Sequence, residues 1–167
     1  MNRCGPFCVA HTYGFPAEER KRGHCEFPIP NELLQAAAKC ILYVLTVSRR
    51  GNDCARYQSA APCSFDGIEL FAHTFQEYFE GDARQHLWFI GVPTEARLVY
   101  DNHDLIYSYG NDDGVISIVK SKGLSEGNPQ IPWPHEHCYN EEFDASEGEI
   151  MEYCEWAKFP LKEYDNP

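Results

Sequence analysis

The sequence predicts an α+β protein in which helices pack on a four-stranded antiparallel sheet meander. Three observations predict this class. Two apolar runs with helical spacing lie in the first half, four short strand-like runs follow, and an amphipathic segment stands near the C-terminus. Runs of β-branched and aromatic residues that are separated by short turn sequences indicate hairpins. Helices that flank such a meander can cover one of its faces.

Residues 1–30 form a Gly/Pro-interrupted segment that is expected to be irregular. The stretch 31–81 is expected to be helical. Its first helix would begin at Asn31, which can cap the N-terminus, and end at Gly51, which suits a left-handed stop. A nearly continuous apolar surface predicts that this helix is buried centrally.

A second helix is predicted after Asp66, which can cap it. The apolar residues of this helix recur at spacings of three and four, which places them on one face. They are Ile68, Phe71, Phe75 and Phe79, and Gly81 ends the helix. The pattern predicts an amphipathic helix with an aromatic buried side.

The second half of the chain changes to strand-like patterns. Residues 85–120 are predicted to form the meander, with the turn sequence NDDG before the last strand. The stretch 121–143 has no periodicity, and a loop of this length inside a domain is usually functional. Residues 144–158 are predicted to form a closing helix. Together these segments make one domain, 1–167.

The charge of the chain is strongly negative and unevenly distributed. The 167 residues carry a net charge of −12. Residues 1–50 have seven Lys/Arg against four Asp/Glu, whereas 136–167 have two against ten. Such a balance argues against binding to a nucleic-acid backbone, which needs cations to displace counterions. It favours docking on a basic protein surface, although solubility is the commoner reason for an acidic composition.

The sequence is expected to be intracellular, in the cytoplasm or nucleus. No apolar run reaches the length of a spanning helix, and the N-terminus has no apolar core of signal-peptide length. No membrane partner is therefore expected. In that compartment the eight cysteines would be reduced, buried or metal-bound rather than paired.

The stretch CGPFCVAH is a candidate metal site. Structural zinc takes four N or S ligands, and Cys4, Cys8, His11 and Cys25 form such a set, with His24 as an alternative to His11. The spacing is not one of the common zinc-finger spacings. The commoner explanation is that Cys4 and Cys8 are small apolar side chains in an N-terminal segment, so the cofactor is either none or one structural zinc ion. A second polar cluster, 135–138, reads HEHC and is a weaker metal candidate.

Sequence motifs of common enzymes are not found. The chain has no P-loop, dinucleotide-binding glycine pattern, HExxH or GxSxG. A thiol enzyme stays possible, because cysteine and histidine partners need only meet in space. No residue is singled out as a nucleophile, so no catalytic residue is predicted and the chain is more simply a non-enzyme.

The run from Leu87 to Gly110 resembles the SUKH superfamily. The matching features are a strand ending in Ile90-Gly91, a strand ending in Tyr100-Asp101, and a following strand that carries Tyr107. The upstream FPIPNELL is similar to the start of the early helix in that family, and EGEIMEYCEW stands where its closing helix is expected. The resemblance implies a non-enzymatic binding protein: an immunity protein against a toxin, or a viral antagonist of a host defence factor.

These observations favour an acidic binding or inhibitory protein that docks on a basic partner surface. Aromatic anchors would supply most of the binding energy and rim charges the rate and selectivity. The expected contact residues lie in the long loop and the closing helix: Trp133, Tyr139, Glu141, Glu142, Asp144, Glu149, Glu152 and Trp156. Two alternatives stay open, a zinc-stabilised adaptor and an uncharacterised enzyme that depends on cysteine or histidine.

Overall fold

The computed structural model describes residues 7–10, 39–46, 54–92, 97–103, 105–109, 117, 125–126, 134, 137 and 139–163. Within these residues, nine strands form one antiparallel sheet. The strands are β1 (Phe7–Ala10), β2 (Lys39–Thr46), β3 (Ala55–Ser59), β4 (Cys63–Ser64), β5 (Gln85–Gly91), β6 (Arg97–Tyr100), β7 (Ile106–Tyr109), β8 (Ser125–Glu126) and β9 (Trp156–Phe159). The helices are α1 (Phe65–Thr74), α2 (Gln76–Gly81) and α3 (Asp144–Tyr153), and the short 3-10 helix η1 (Glu141–Phe143) precedes α3. The α+β class with an antiparallel sheet is therefore confirmed.

The sheet has the order β8-β1-β7-β6-β5-β2-β3-β9, and β4 pairs with β2. β5, β6 and β7 are consecutive neighbours, as a meander requires. The last predicted meander strand falls on residues 114–120, of which only Ser117 is described. Strands from outside the meander join it on both sides, so the sheet is wider than four strands.

The prediction of a helix over 31–50 is wrong where the structure describes it, because Lys39–Thr46 is strand β2. This strand lies inside the sheet, with β5 on one side and β3 and β4 on the other. A central strand can be a continuous apolar run, which periodicity alone cannot distinguish from a buried helix. The β-branched and aromatic residues in CILYVLT were the signal for a strand.

Strands β3 and β4 also correct the helical assignment of 31–81, in which the described helices begin only at Phe65. Likewise, strand β1 lies in the segment 1–30 that was expected to be irregular, and β8 and η1 lie in the loop predicted over 121–143. These short strands have too few residues to show a periodic pattern. They are stabilised by the neighbouring strands with which they pair, and this pairing is not visible in the local sequence.

The second predicted helix is confirmed, with two differences. Ser64 rather than Asp66 caps α1, because its hydroxyl accepts a hydrogen bond of 3.2 Å from the Gly67 N–H. At Phe75 the backbone leaves helical geometry, with φ −109° and ψ 16°, and α2 begins at the next residue. The predicted apolar stripe is buried throughout: Ile68, Phe71, Phe75 and Phe79.

The closing helix predicted over 144–158 ends earlier, at Tyr153. Cys154 is extended, with φ −147° and ψ 173°, and the chain then forms β9 against β3. The indole N–H of Trp156 donates a 3.0 Å hydrogen bond to the Ile150 carbonyl, which caps the end of the helix. The strand forms here because β3 offers an edge to pair with, a tertiary contact that overrides the local helical pattern.

The hydrophobic core lies between the helices and one face of the sheet. Alternate residues of β2 and β5 contribute Leu42, Val44, Leu87 and Phe89, and α3 contributes Ile150. Aromatic rings of α1 and α2 complete the core through tilted and edge-to-face contacts, which are favoured by the ring quadrupoles. The helices are thereby held on the sheet, and the C-terminal helix presents its other side to solvent.

Candidate protein-binding surface

A buried arginine connects the C-terminal helix to the sheet. Arg84 lies between α2 and β5, and its side chain is only 1% exposed. Its guanidinium contacts three carboxylates: Glu147 at 2.8 Å, Asp144 at 2.7 Å and Asp82 at 3.0 Å. The contact with Asp82 joins Nε to Oδ1 without hydrogen-bond alignment. Glu147 and Asp82 are buried, whereas the Asp144 side chain is half exposed.

The neighbouring carboxylates stabilise the charged guanidinium of Arg84. Burial by itself disfavours the guanidinium cation, but the hydrogen bond to Glu147 and the charge of Asp82 outweigh it and raise the pKa of Arg84. Burial, together with the negative charges of Glu147 and Asp82, raises the pKa of the neighbouring Tyr78 phenol. The Tyr78 hydroxyl is buried without a hydrogen-bond partner. Removing Arg84 would leave two buried carboxylates without their cation.

Asn140 fixes the start of η1 through the same network of Arg84 and its carboxylates. Its backbone N–H donates to Asp82 Oδ2 at 2.7 Å, and its side-chain amide donates to the Gly81 carbonyl at 2.6 Å. Its own carbonyl accepts from Arg84 Nη2 at 2.6 Å. Three hydrogen bonds, two of them to charged groups, therefore set where the chain enters η1 and α3.

The close approach of η1 to α2 depends on a glycine. A Cβ atom at Gly81 would lie 2.7 Å from Cε2 and 2.9 Å from Cζ of Phe143. The Phe143 ring also packs edge-on against Tyr78, with centroids 5.8 Å apart. The absence of a side chain at Gly81 thus lets Phe143 seat η1 against the helical layer.

The outward side of η1 and α3 is acidic. Between Tyr139 and Ala157 the sequence has seven carboxylates and no Lys, Arg or His. Two of these carboxylates, Asp144 and Glu147, pair with Arg84. The other five are exposed: Glu155, which precedes β9, and four on the helices, Glu141 and Glu142 on η1 and Glu149 and Glu152 on α3. We call the four residues on the helices the acidic surface.

The helical geometry of α3 explains this separation. Glu147 and Ile150 lie three residues apart on the buried side, because side chains at that spacing share a face. Glu149 and Glu152 have the same spacing on the opposite side and are exposed. One short helix therefore neutralises some of its carboxylates inside the protein and presents others to solvent.

Tyr153 is an exposed aromatic residue beside the acidic surface that the sequence analysis did not select as a contact residue. The residue is 38% exposed, and its ring packs against Phe71 and Phe75, with centroid distances of 5.1 and 5.5 Å. The residue follows Glu152 and lies four positions after Glu149. Its spacing of four residues from Glu149 is a signal in the sequence for the exposed side of the helix.

The predicted contact residues have different surroundings. Trp133 lies outside the described residues, and Tyr139 is half-buried. Trp156 is also half-buried and packs edge-on against Phe71 at 6.4 Å, so much of its ring supports the core. Asp144 forms an ion pair with Arg84, although its side chain is half exposed. Glu141, Glu142, Glu149 and Glu152 are exposed carboxylates on the consecutive elements η1 and α3.

The predicted N-terminal zinc ligands are mostly outside the described residues. Cys8 belongs to strand β1, whose side chains are not described, while Cys4, His11 and Cys25 lie outside. In the part of the chain that the structure describes, no three His, Cys, Asp or Glu residues group around a possible metal position. The N-terminal zinc site stays a prediction.

The Cys154 thiol is not an activated nucleophile. Burial, together with the nearby Cys63 thiol, raises the pKa of Cys154 to about 11. The thiolate is the nucleophilic form, so Cys154 is protonated and unreactive at neutral pH.

Among the described helices, none is long and apolar enough to span a lipid bilayer. Comparison of the chain with family models, curated proteins and solved structures found no match. The resemblance to the SUKH superfamily stays a prediction, and the function has to be argued from the acidic surface.

Proposed function

We propose that this chain is a non-enzymatic inhibitory protein that binds a basic surface of a partner protein through the acidic surface of η1 and α3. The observation that carries the proposal is the division of the carboxylates in this region. Arg84 pairs with the inward carboxylates, while the outward side of the same helix carries Glu149 and Glu152 and no cation.

The acidic surface is unfavourable for the helix that bears it. Like charges three residues apart destabilise a helix by about 0.2–0.5 kcal/mol. Glu152 stands in the last turn of α3, which has no basic residue, and a negative charge there opposes the helix dipole at a cost of about 0.3–1 kcal/mol. Residues that lower local stability are expected at functional sites. A cationic partner would relieve both costs.

Tyr153 supplies an aromatic contact next to these charges. The two phenylalanine rings behind it hold its ring in place, so little side-chain entropy is lost when a partner binds. Tyrosine is enriched among residues that dominate interface energies, and arginine stacks on aromatic faces while pairing with carboxylates. The partner surface is therefore expected to contain arginine.

The biological role follows from the resemblance noted in the sequence. An immunity protein or a viral antagonist acts by covering a functional surface of its target, and an acidic surface suits a target that is basic. We place this activity inside the cell, the compartment in which reduced cysteines are expected.

Charge reversal tests the proposal. The immobilised chain captures partners from cell extract, mass spectrometry identifies them, and the dissociation constant for each purified partner is measured at low and high salt. We expect Glu149→Lys/Glu152→Lys to weaken binding at least tenfold, mainly through slower association, and added salt to weaken wild-type binding.

The matched control is Glu77→Lys/Glu163→Lys, which makes the same change in net charge at two exposed carboxylates on other elements. Its dissociation constant at physiological salt should stay within about twofold of wild type, because neither carboxylate belongs to the acidic surface and salt screens long-range charge effects. Binding that is insensitive to salt, or that is weakened equally by both double variants, would contradict docking through the acidic surface.

A further inference from the structure

Two cysteines lie at the junction of β4, α3 and β9. Cys63 is the first residue of β4, and Cys154 stands between the end of α3 and the start of β9. Both are free thiols, and both residues are half-buried. They are far apart in the sequence, so only the fold brings their surroundings together.

The register of the sheet places the two cysteines on neighbouring segments. The β3–β9 ladder extends to Ala60, whose N–H donates a 2.9 Å hydrogen bond to the Glu155 carbonyl. Cys154 directly precedes Glu155, so it is the next residue along this line of the sheet. Opposite it, the chain turns after Ala60 and enters β4 at Cys63, whose thiol donates a 3.8 Å hydrogen bond back to the Ala61 carbonyl. The Cys63 thiol is thus turned toward the end of the ladder at which Cys154 stands.

Both side chains are on the side of the sheet that faces the helices. Cys63 packs against the core between the helices and the sheet. The Trp156 indole is on this side too, because it donates a hydrogen bond to the Ile150 carbonyl of α3. Cys154 is extended and precedes Trp156 by two residues, and side chains at that spacing in an extended chain share a side. The two thiols are therefore on the same side of neighbouring chain segments.

The electrostatics of the junction agree with this placement. Burial is the largest cause of the raised pKa of Cys154, and the charge of the Cys63 thiolate is the second. The pKa of the Tyr153 phenol is raised by burial first, and then by both thiolates. A charge shifts the pKa of another group in this way only from a short distance. The two thiols and the Tyr153 phenol therefore form one cluster.

We propose that Cys63 and Cys154 form a reversible disulfide by exchange with a small disulfide such as oxidised glutathione. The Cys63 thiolate attacks one sulfur of oxidised glutathione, which gives a mixed disulfide and releases one glutathione thiolate. Cys154 then loses its proton to solvent, attacks Cys63 Sγ and displaces the second glutathione thiolate. The two cysteines have lost two electrons and two protons, and oxidised glutathione has been reduced to two molecules of glutathione.

The order of the two steps follows from the state of Cys154. Its raised pKa keeps it protonated at neutral pH, and the thiolate is the form that attacks. It is therefore a poor first nucleophile. After Cys63 carries glutathione, the attack by Cys154 is intramolecular, and the proximity of the two sulfurs compensates for the small thiolate fraction.

The bond would join the start of α1 to the end of α3. Cys63 adjoins Ser64, which caps α1, and Cys154 follows Tyr153, the last residue of α3. Disulfides of intracellular proteins are usually transient and redox-sensing. Because α3 carries part of the acidic surface, oxidation would hold that surface more firmly on the helical layer. This consequence rests on the proposed function, whereas the bond itself does not.

Peptide mapping of the full chain tests the bond. The folded protein is equilibrated with excess oxidised glutathione, its remaining thiols are alkylated, and it is cleaved after Lys, Arg and Glu. This cleavage leaves Cys63 in the peptide 57–69 and Cys154 in the peptide 153–155, each without another cysteine. Mass spectrometry should find these two peptides joined, and reduction should separate them. The variant Cys54→Ser, at an exposed thiol, should give the same link, whereas Cys154→Ser should stop at the mixed disulfide on Cys63.

The competing partner is Cys40, which is opposite Cys63 in the β2–β4 ladder. A link between Cys63 and Cys40 would overturn the proposal, as would alkylation of both Cys63 and Cys154 after equilibration with oxidised glutathione. The main result comes from wild type, so it does not depend on whether a variant folds. No partner protein is present, so failure of the proposed function would leave this result unchanged.

Discussion

Arg84 shows how a single buried cation determines the position of a surface. Its guanidinium is shared among Asp82, Asp144 and Glu147, and its Nη2 also donates to the Asn140 carbonyl. The buried carboxylates of Asp82 and Glu147 alone would have a large desolvation cost, and the common cation offsets it. The residue therefore joins α2, η1 and α3 at one point.

Replacing this cation tests its role. Arg84→Met keeps most of the side-chain volume but leaves Glu147 and Asp82 buried without a positive partner. The free energy of unfolding should fall by about 3–5 kcal/mol, as measured by urea denaturation. The control Arg97→Met, at an exposed position, should change the free energy of unfolding by less than about 0.5 kcal/mol. An unchanged denaturation midpoint in Arg84→Met would show that the buried network contributes little.

The Cys154 thiol makes stability depend on pH in the alkaline range. Its pKa is raised from 9.0 to about 11 by burial and by Cys63. Below pH 9 the thiol is protonated in both the folded and the unfolded chain. Between pH 9 and 11 the unfolded chain loses this proton first, so rising pH favours unfolding and the free energy of unfolding falls.

Denaturation of wild type and Cys154→Ser across this pH range isolates the effect from other groups that titrate there. The wild-type free energy of unfolding should decrease more steeply than that of Cys154→Ser. Cys54→Ser, at an exposed thiol, should follow wild type. Parallel curves for wild type and Cys154→Ser would contradict the raised pKa.

At the scale of elements, two glycines in α2 and α3 have different effects. At Gly81 there is no room for a side chain, since its Cβ would meet the Phe143 ring. At Gly148, in the middle of α3, a Cβ would meet nothing within 4 Å. The first glycine permits packing, whereas the second only lowers helix stability.

Alanine at the two positions should therefore have opposite effects. Gly81→Ala has to displace Phe143 and should lower the free energy of unfolding by about 1–3 kcal/mol. Gly148→Ala should raise it by about 0.5–1 kcal/mol, because alanine loses less conformational entropy in a helix. Thermal and urea denaturation of the two variants measure both changes. A neutral Gly81→Ala would show that η1 does not need its close contact with α2.

Amphipathic periodicity identified some elements and misassigned others. The stripe of α1 and α2 was predictable, because one apolar face against a polar one is specific to a helix at a packed surface. Strand β2 was not, because an element that is apolar on every side has no amphipathic signal. β9 was missed because four residues show no period, and its pairing partner β3 is about a hundred residues away in the chain.

At the scale of the whole molecule, charge is unevenly distributed along the chain, and the carboxylates of its acidic segment differ in exposure. The segment 1–50 is net basic and 136–167 strongly acidic, a difference that the sequence alone shows. The structure adds which carboxylates of the acidic segment are exposed. Glu141, Glu142, Glu149 and Glu152 were predicted as contacts and are exposed. Asp144 was predicted with them, but it also contacts Arg84, which lies sixty residues earlier in the chain.

The sequence by itself determined the α+β class, the buried stripe of α1 and α2, and the concentration of negative charge near the C-terminus. These features follow from local composition and periodicity, which any short window of the chain contains. Only the tertiary structure decided that Lys39–Thr46 is a central strand and that Arg84 neutralises Glu147. Each of these depends on contacts between residues distant in sequence, whose free energy is gained only when the chain is folded.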